Sequence, residues 1–158
     1  MSLIRIRFVA NHALLSDIIR ALTGSCFSHV EFGTPEGTWI GALGDGIKER
    51  PANYCNPFRE YVYEIPCTME EQSQLLAWAR SKIGTKYNYA DIMGLLFQNR
   101  TWHSPNRFIC SQFCTEGLLL TFRASRVLNV MMEWAYRITP ETLHLSPILT
   151  GNLKRKRG

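Results

Sequence analysis

Short runs of strand-forming residues, separated by turn residues, fill the first part of the chain and most constrain its fold. Residues 3–9 alternate apolar side chains with arginines, which predicts a strand with one face in contact with water. Residues 27–32 and 38–43 are two further strand-like runs, and the Pro35-Glu36-Gly37 turn between them predicts a hairpin. Residues 59–65 resemble another sheet strand. Together these runs predict a small antiparallel sheet.

Helical patterns lie between and after these strands. Residues 13–22 carry apolar side chains at helical spacing. Thr68 and Glu71 have the spacing of a capping box, which predicts a helix that runs to about Ile83. A later apolar helix is predicted over residues 110–120. Strands followed by helices of this kind predict an α+β fold, with the helices packed on the sheet.

The length and the charge distribution indicate one domain with a short tail. The 158 residues suffice for one core, and we expect a single domain over residues 1–150 and a basic tail over residues 151–158. The net charge is +5, but without the basic run 154–157 the chain holds 14 basic and 13 acidic residues. A nearly neutral body with no recognisable nucleic-acid module predicts no nucleic-acid partner, apart from any contact made by the tail.

The N-terminus and the cysteines indicate the cellular compartment. Residues 1–9 interrupt their apolar side chains with arginines, so they match neither a signal peptide nor a membrane span. The five cysteines are an odd number without a repeated spacing, which argues against a secreted disulfide framework. We therefore expect a cytoplasmic protein with no transmembrane segment.

Cys110 and His29 are the residues that suggest chemistry. Cys110 lies where a polar loop ends and an apolar helix is predicted to begin. The unpaired N–H groups and the positive dipole end of a helix N-terminus favour a thiolate over a thiol. His29 lies in a predicted strand, and a strand histidine that faces a helix-start cysteine can take the thiol proton. This pattern predicts Cys110 as a nucleophile and His29 as its general base.

Three segments, in order, strengthen this prediction. Ser28-His29-Val30 lies in an early strand, residues 84–89 follow a helix, and residues 108–113 open a later helix. In this order they resemble the circularly permuted NlpC-like papain superfamily, in particular its YaeF/YiiX amidase branch. The resemblance implies a permuted papain-like fold with a barrel-like sheet, and it places Tyr87 and Gln112 near the substrate.

The same resemblance implies the reaction. It suggests a cysteine hydrolase or acyltransferase that acts on amide, ester or thioester bonds through an acyl-enzyme. We expect an amide or peptide substrate, with cell-wall peptides as the first class to test, and no cofactor. Trp102, in the polar loop over residues 99–107, either lines a substrate cleft or anchors the loop.

The residue that would orient His29 is missing from its usual place. Relatives commonly use a polar residue on the next strand, and residues 39–43 offer none. Glu31 is the local substitute, because residues i and i+2 of a strand share a face. It either hydrogen-bonds the imidazole or lies in solvent at the strand end. Asp45, in a glycine turn, is a second candidate.

Three alternatives remain open at this point. Cys26, His29, Cys110 and Cys114 are suitable in type for zinc, although neither Cys26/His29 nor Cys110/Cys114 has the spacing of a zinc ribbon. A catalytically inactive binding or assembly module would keep the papain-like scaffold and lack turnover. A lipid acyl hydrolase or acyltransferase is the third, because permuted relatives such as lecithin retinol acyltransferase act on lipids.

Overall fold

A computed structural model describes residues 2–88, 108–122 and 139–144. The five strands of this part of the chain form one antiparallel sheet in the order β4-β3-β2-β1-β5. The strands are β1 Ser2–Ala10, β2 His29–Gly33, β3 Trp39–Leu43, β4 Gly46–Arg50 and β5 Arg59–Cys67. The prediction of an α+β fold with an antiparallel sheet is confirmed. The outer strands β4 and β5 do not pair within these residues, so the sheet is open and the barrel-like closure is not confirmed.

Four helices accompany the sheet in the described part of the chain. They are α1 Leu14–Thr23, α2 Met69–Ser81, α3 Cys110–Thr121 and α4 Pro140–His144. Helix α1 ends at Gly24, whose positive φ of 62° suits a residue without Cβ. Helix α2 begins with the predicted capping box, in which Thr68 accepts from the Glu71 N–H and the Glu71 carboxylate accepts from the Thr68 N–H. The start of α2 therefore lies where the capping box predicts it.

One face of the sheet forms the hydrophobic core with α2 and α3. Ile6 and Phe8 of β1 and Phe32 of β2 are buried on this face. The ring of Phe113 in α3 contacts Phe32 at 5.7 Å between ring centroids. A Cβ at Gly117 would lie 2.8 Å from Phe32, so this glycine lets α3 approach the sheet closely.

The opposite face differs from the prediction. The alternation in β1 predicts that its arginines are in contact with water, and this is wrong for Arg7, which is only 3% exposed. Arg7 is buried because its cross-strand partner in β2 is Glu31, which gives its charge a counter-ion. Strand β4 was not predicted either. It follows a tight turn over residues 44–45, begins at Gly46 (φ 97°) and pairs with β3 along its full length.

Several predicted features lie outside the described residues: Trp102 and its loop over residues 99–107, and the basic tail over residues 151–158. The division into a domain over residues 1–150 and a tail stays a prediction. Among the residues that the structure describes, no helix is both long and apolar enough to cross a membrane.

Candidate active site

Cys110 is the first residue of α3, as predicted. The preceding residue, Ile109, has extended backbone angles (φ −92°, ψ 159°) and caps the helix without a side-chain hydrogen bond. Its carbonyl oxygen accepts from the Phe113 N–H at 3.0 Å, which starts the helix. Because the first N–H groups of a helix have no partner within it, the backbone around Cys110 offers donors to a negative charge.

His29 is the first residue of β2, and the fold brings the start of this strand close to the N-terminus of α3. The Ser28 N–H donates to the Val9 carbonyl at 3.0 Å, and Val9 faces His29 across the β1–β2 ladder. The Ser28 carbonyl oxygen lies 3.9 Å from the Cys110 sulfur. The start of β2 therefore lies against the N-terminus of α3, and both Cys110 and His29 are 4% exposed.

The imidazole of His29 interacts with a carboxylate and with the thiol. Its Nε2 is 3.3 Å from Oε2 of Glu31, which is fully buried. Burial alone would lower the pKa of His29, but hydrogen bonds to Cys110 and Glu31, together with their charges, outweigh burial and raise it to about 9. The environment of the ring therefore favours the protonated imidazole at neutral pH.

The two ring nitrogens of His29 have different partners. Glu31 occupies Nε2, whereas Nδ1 is buried and has no hydrogen-bond partner in the described part of the chain. Cys110 interacts with the same ring, and this interaction contributes to the raised pKa of His29. With Nε2 occupied by the carboxylate, Nδ1 is the ring nitrogen open to exchange a proton with a thiol.

Glu31 is held by two residues that sequence reasoning missed. Nε of Arg7 donates to its Oε1 at 2.6 Å, Nη2 of Arg7 forms an ion pair with the same oxygen at 2.5 Å, and the Tyr54 hydroxyl donates to its Oε2 at 3.0 Å. Burial would raise the pKa of Glu31, but His29 and Arg7 outweigh burial and lower it. The opposite charges of Arg7 and Glu31 were a usable signal once β1 and β2 were paired in register. Tyr54 lies between β4 and β5 and gave no such signal.

Gly41 explains how Glu31 fits beside His29. It lies on β3, where residues 39–43 lack the expected polar residue. A Cβ at Gly41 would lie 2.7 Å from the Cβ of Glu31 and 3.1 Å from Cε1 and Nε2 of His29. The missing side chain on β3 therefore leaves the space that the carboxylate and the imidazole of β2 occupy.

Three further candidate residues, Tyr87, Gln112 and Asp45, contact other parts of the protein. Tyr87 is buried and is joined by a short parallel bridge to Phe108, two residues before Cys110. Gln112 is buried in the first turn of α3, and its Nε2 donates to Glu116 at 2.9 Å. Asp45 pairs instead with Lys48 at 2.8 Å and Arg50 at 2.5 Å, at a surface turn.

The geometry of the four proposed ligands argues against the zinc alternative. Among the described residues, which include all four proposed ligands, no three His, Cys, Asp or Glu side chains are grouped so that they could hold a metal ion. Cys26 is exposed, whereas His29, Cys110 and Cys114 are buried. Burial, followed by the charges of Cys110 and Glu31, raises the pKa of Cys114 well above its ordinary value, so this thiol is inert.

Comparison with known proteins identifies the fold. No protein-family model matches the chain, and a search of curated proteins finds no match. Among solved structures, the crystal structure of the metalloprotein yiiX from Escherichia coli O157:H7, DUF1105, is similar with a TM-score of 0.70 and 16% sequence identity. The similarity covers 99% of this chain and 96% of that chain. The chain therefore has a yiiX-like fold.

Proposed function

We propose that the protein is a cysteine hydrolase that cleaves an amide or peptide bond through a Cys110 thiolate and an acyl-enzyme. The buried group of Cys110, His29 and Glu31 carries this proposal, because the imidazole contacts the Glu31 carboxylate at 3.3 Å and interacts with the Cys110 thiol. The resemblance of the three sequence segments suggests a permuted papain-like arrangement, and the yiiX-like fold is compatible with a hydrolase. In this proposal the residues belong to a single domain over residues 1–150.

The mechanism depends on which of the two groups, Cys110 or His29, holds the proton. With the proton on His29, the Cys110 thiolate attacks the substrate carbonyl carbon, and backbone N–H groups at the start of α3 stabilise the oxyanion. The imidazolium then donates its proton to the departing amine, which leaves an acyl group on sulfur. A water molecule, deprotonated by His29, attacks this thioester and restores the free thiolate and the imidazolium.

The raised pKa of His29, about 9, favours an amide as the substrate. An amine departs only after protonation, and a group that stays protonated at neutral pH is suited to supply that proton. The leaving thiolate of a thioester needs no such acid. We therefore propose a peptide or isopeptide bond, with cell-wall peptides as the first class. A reduced thiol of this kind fits the expected cytoplasmic location. Tyr87, Gln112 and Trp102 stay candidates for substrate contact.

A second candidate function is a binding or assembly module without turnover. The observation that favours it is the burial of both reacting side chains, since Cys110 and His29 are each 4% exposed. A substrate carbonyl has to reach the sulfur, whereas a scaffold that only binds has no such requirement. Both functions predict a yiiX-like fold, so reactivity has to separate them.

The test is alkylation by iodoacetamide at pH 7, with the modified thiols identified by mass spectrometry. We expect Cys110 to react at least roughly tenfold faster than the exposed Cys26, because only the thiolate reacts. His29→Ala should remove this advantage. Cys114→Ala, one helical turn further along α3, is the matched control and should keep it.

Two results would count against the proposal. If Cys110 reacts no faster than Cys26, or equally fast in His29→Ala, the thiol–imidazole pair is not functional. If Cys110 reacts fast and yet forms no acyl-enzyme with any peptide or acyl-ester library, as judged by intact mass, the binding module is the better account. An acyl-enzyme formed with lipid esters alone would point to the lipid acyl hydrolase or acyltransferase.

A further inference from the structure

Arg7 lies at the centre of the buried polar network. Glu31 lies between it and His29. The Nε atom of Arg7 donates to Oε1 of Glu31, and its Nη2 forms an ion pair with the same oxygen. Its Nη1 donates to the Glu60 carboxylate at 3.2 Å and, at 3.4 Å, to the Ala52 carbonyl. The guanidinium group therefore contacts β2 on one side, and Ala52 and Glu60 of β5 on the other.

Aromatic rings fix the plane of the same guanidinium group. Its central carbon lies 4.5 Å from the centroid of Trp39 and 5.3 Å from the centroid of Tyr54. A guanidinium that is packed against rings and donates in a fork holds a carboxylate in one orientation, which an ammonium group cannot do. Tyr54 also donates to Glu31, so the same ring that packs on Arg7 helps to fix the carboxylate.

Arg5 provides the contrast within the same strand. It lies two residues away on the same face of β1, where it donates to the Thr34 carbonyl and packs on Trp39 at 5.5 Å. Arg5 is partly exposed, whereas Arg7 is buried with its charge matched to Glu31. Burying a charge is costly unless it is paired, so the fold alone gives little reason to place arginine at position 7.

We propose that Arg7 is a positioning residue for the Cys110–His29 pair and that it acts through Glu31. By holding Oε1, it keeps Oε2 directed at Nε2 of His29, which leaves Nδ1 for the thiol. Arg7 does not touch the sulfur or the substrate in this proposal. The inference rests on the proposed function, since it needs His29 to serve Cys110.

The charges around Glu31 predict a pH signature. Two cations face its carboxylate, His29 and Arg7, and Tyr54 donates to it; Cys55 and Glu60 contact Arg7 from the other side, and Cys110 contacts His29. Arg7 is one of the groups that lower the pKa of Glu31, whereas burial raises it. Without Arg7, Glu31 would take up a proton at higher pH and stop supporting the imidazolium.

The experiment measures Cys110 alkylation by iodoacetamide from pH 4 to pH 10 in the full chain. In Arg7→Met we expect the rate at pH 6 to fall roughly tenfold, with the acidic limb of the profile moved to higher pH by about one unit. Arg7→Lys keeps a charge but loses the fork, so we expect an intermediate shift. Arg5→Met is the matched control and should keep the wild-type profile.

A double-mutant cycle distinguishes positioning from general destabilisation. If Arg7 acts through Glu31, then Arg7→Lys should change the alkylation profile less than twofold further in a Glu31→Gln background. Additive effects of the two substitutions would overturn the inference. A wild-type profile in folded Arg7→Lys would overturn it as well, and this holds even if Arg7→Met does not fold.

The outcomes also separate this inference from the proposed function. If His29→Ala slows alkylation of Cys110 and Arg7→Lys does not, only the role of Arg7 is wrong. If His29→Ala leaves alkylation unchanged, the thiol–imidazole pair itself fails, whatever Arg7 does.

Discussion

The two faces of the sheet bury their side chains for different reasons. On the core face, Ile6, Phe8 and Phe32 are removed from water and pack against α2 and α3. On the charged face, Arg7 and Glu31 are buried as deeply, but they are paired at 2.5 Å. The first face is stabilised by apolar burial and close packing, and the second is tolerated because each charge has a partner.

This difference predicts two kinds of response to substitution. The core face should respond to changes of side-chain volume and be insensitive to pH. The charged face should respond to the loss of a single partner or to a change of protonation, even where volume is conserved. The predictions below test this contrast from the largest expected loss of stability to the smallest.

The largest effect is expected for Phe32→Ala on the core face. It removes a ring that packs on Phe113 and over Gly117, and the helix cannot close the cavity completely. We expect a loss of about 3–5 kcal/mol in the free energy of unfolding, measured by urea denaturation. Phe32→Leu conserves more of the volume and should cost roughly 1 kcal/mol. Equal losses for the two variants would mean that volume is not what this face requires.

The pH dependence of stability tests the charged face. The pKa of His29 is about 9 in the folded protein and near 6.5 when unfolded. Between these values His29 holds a proton in the folded protein that it lacks when unfolded, so its contribution to stability is fully present below pH 6.5 and falls as pH rises through 9. The loss is on the order of 3 kcal/mol, measured as the free energy of unfolding between pH 6 and pH 10.

His29→Gln is the control for this titration. The buried thiols of Cys67 and Cys114 also have raised pKa values, which disfavours the folded state at alkaline pH, but they are unchanged in this variant. The difference between wild type and His29→Gln therefore isolates the imidazole. Parallel stability curves for the two proteins would show that His29 carries no charge in this range.

The core face was largely predictable from sequence, and the charged face was predictable only in part. Alternation in β1 and the helix start at Cys110 follow from local patterns, since apolar period and capping depend on neighbouring residues. The proximity of Glu31 to His29 follows from the two-residue repeat of a strand. These inferences need no knowledge of which strands are neighbours.

Arg7 and Gly41 could not be assigned because their roles depend on pairing between strands. An arginine that alternates with apolar residues looks exposed until the opposite residue is known to be Glu31. A glycine in a strand gives no sign of what fills its space until Glu31 and His29 are placed beside it. Strand register depends on the tertiary structure, and it determines the roles of both Arg7 and Gly41.

A smaller effect on stability than that of Phe32→Ala, and the sharpest test of the charged face, is expected for Gly41→Ala. The added Cβ would lie 2.7 Å from that of Glu31 and 3.1 Å from the His29 ring, so one of them has to move. We expect a loss of about 1–3 kcal/mol in the free energy of unfolding. Because the displaced groups are those that support Cys110, alkylation at pH 7 should also slow by roughly tenfold or more.

Gly37→Ala is the matched control, since it also replaces a glycine with alanine. Gly37 has a φ of 85° in a turn with open space around it, so alanine there is strained and should cost roughly 1 kcal/mol. The alkylation rate of Cys110 should stay at the wild-type value in this variant. If the two substitutions slow alkylation equally, reactivity follows overall stability, and the space at Gly41 has no special role in holding Glu31 against His29.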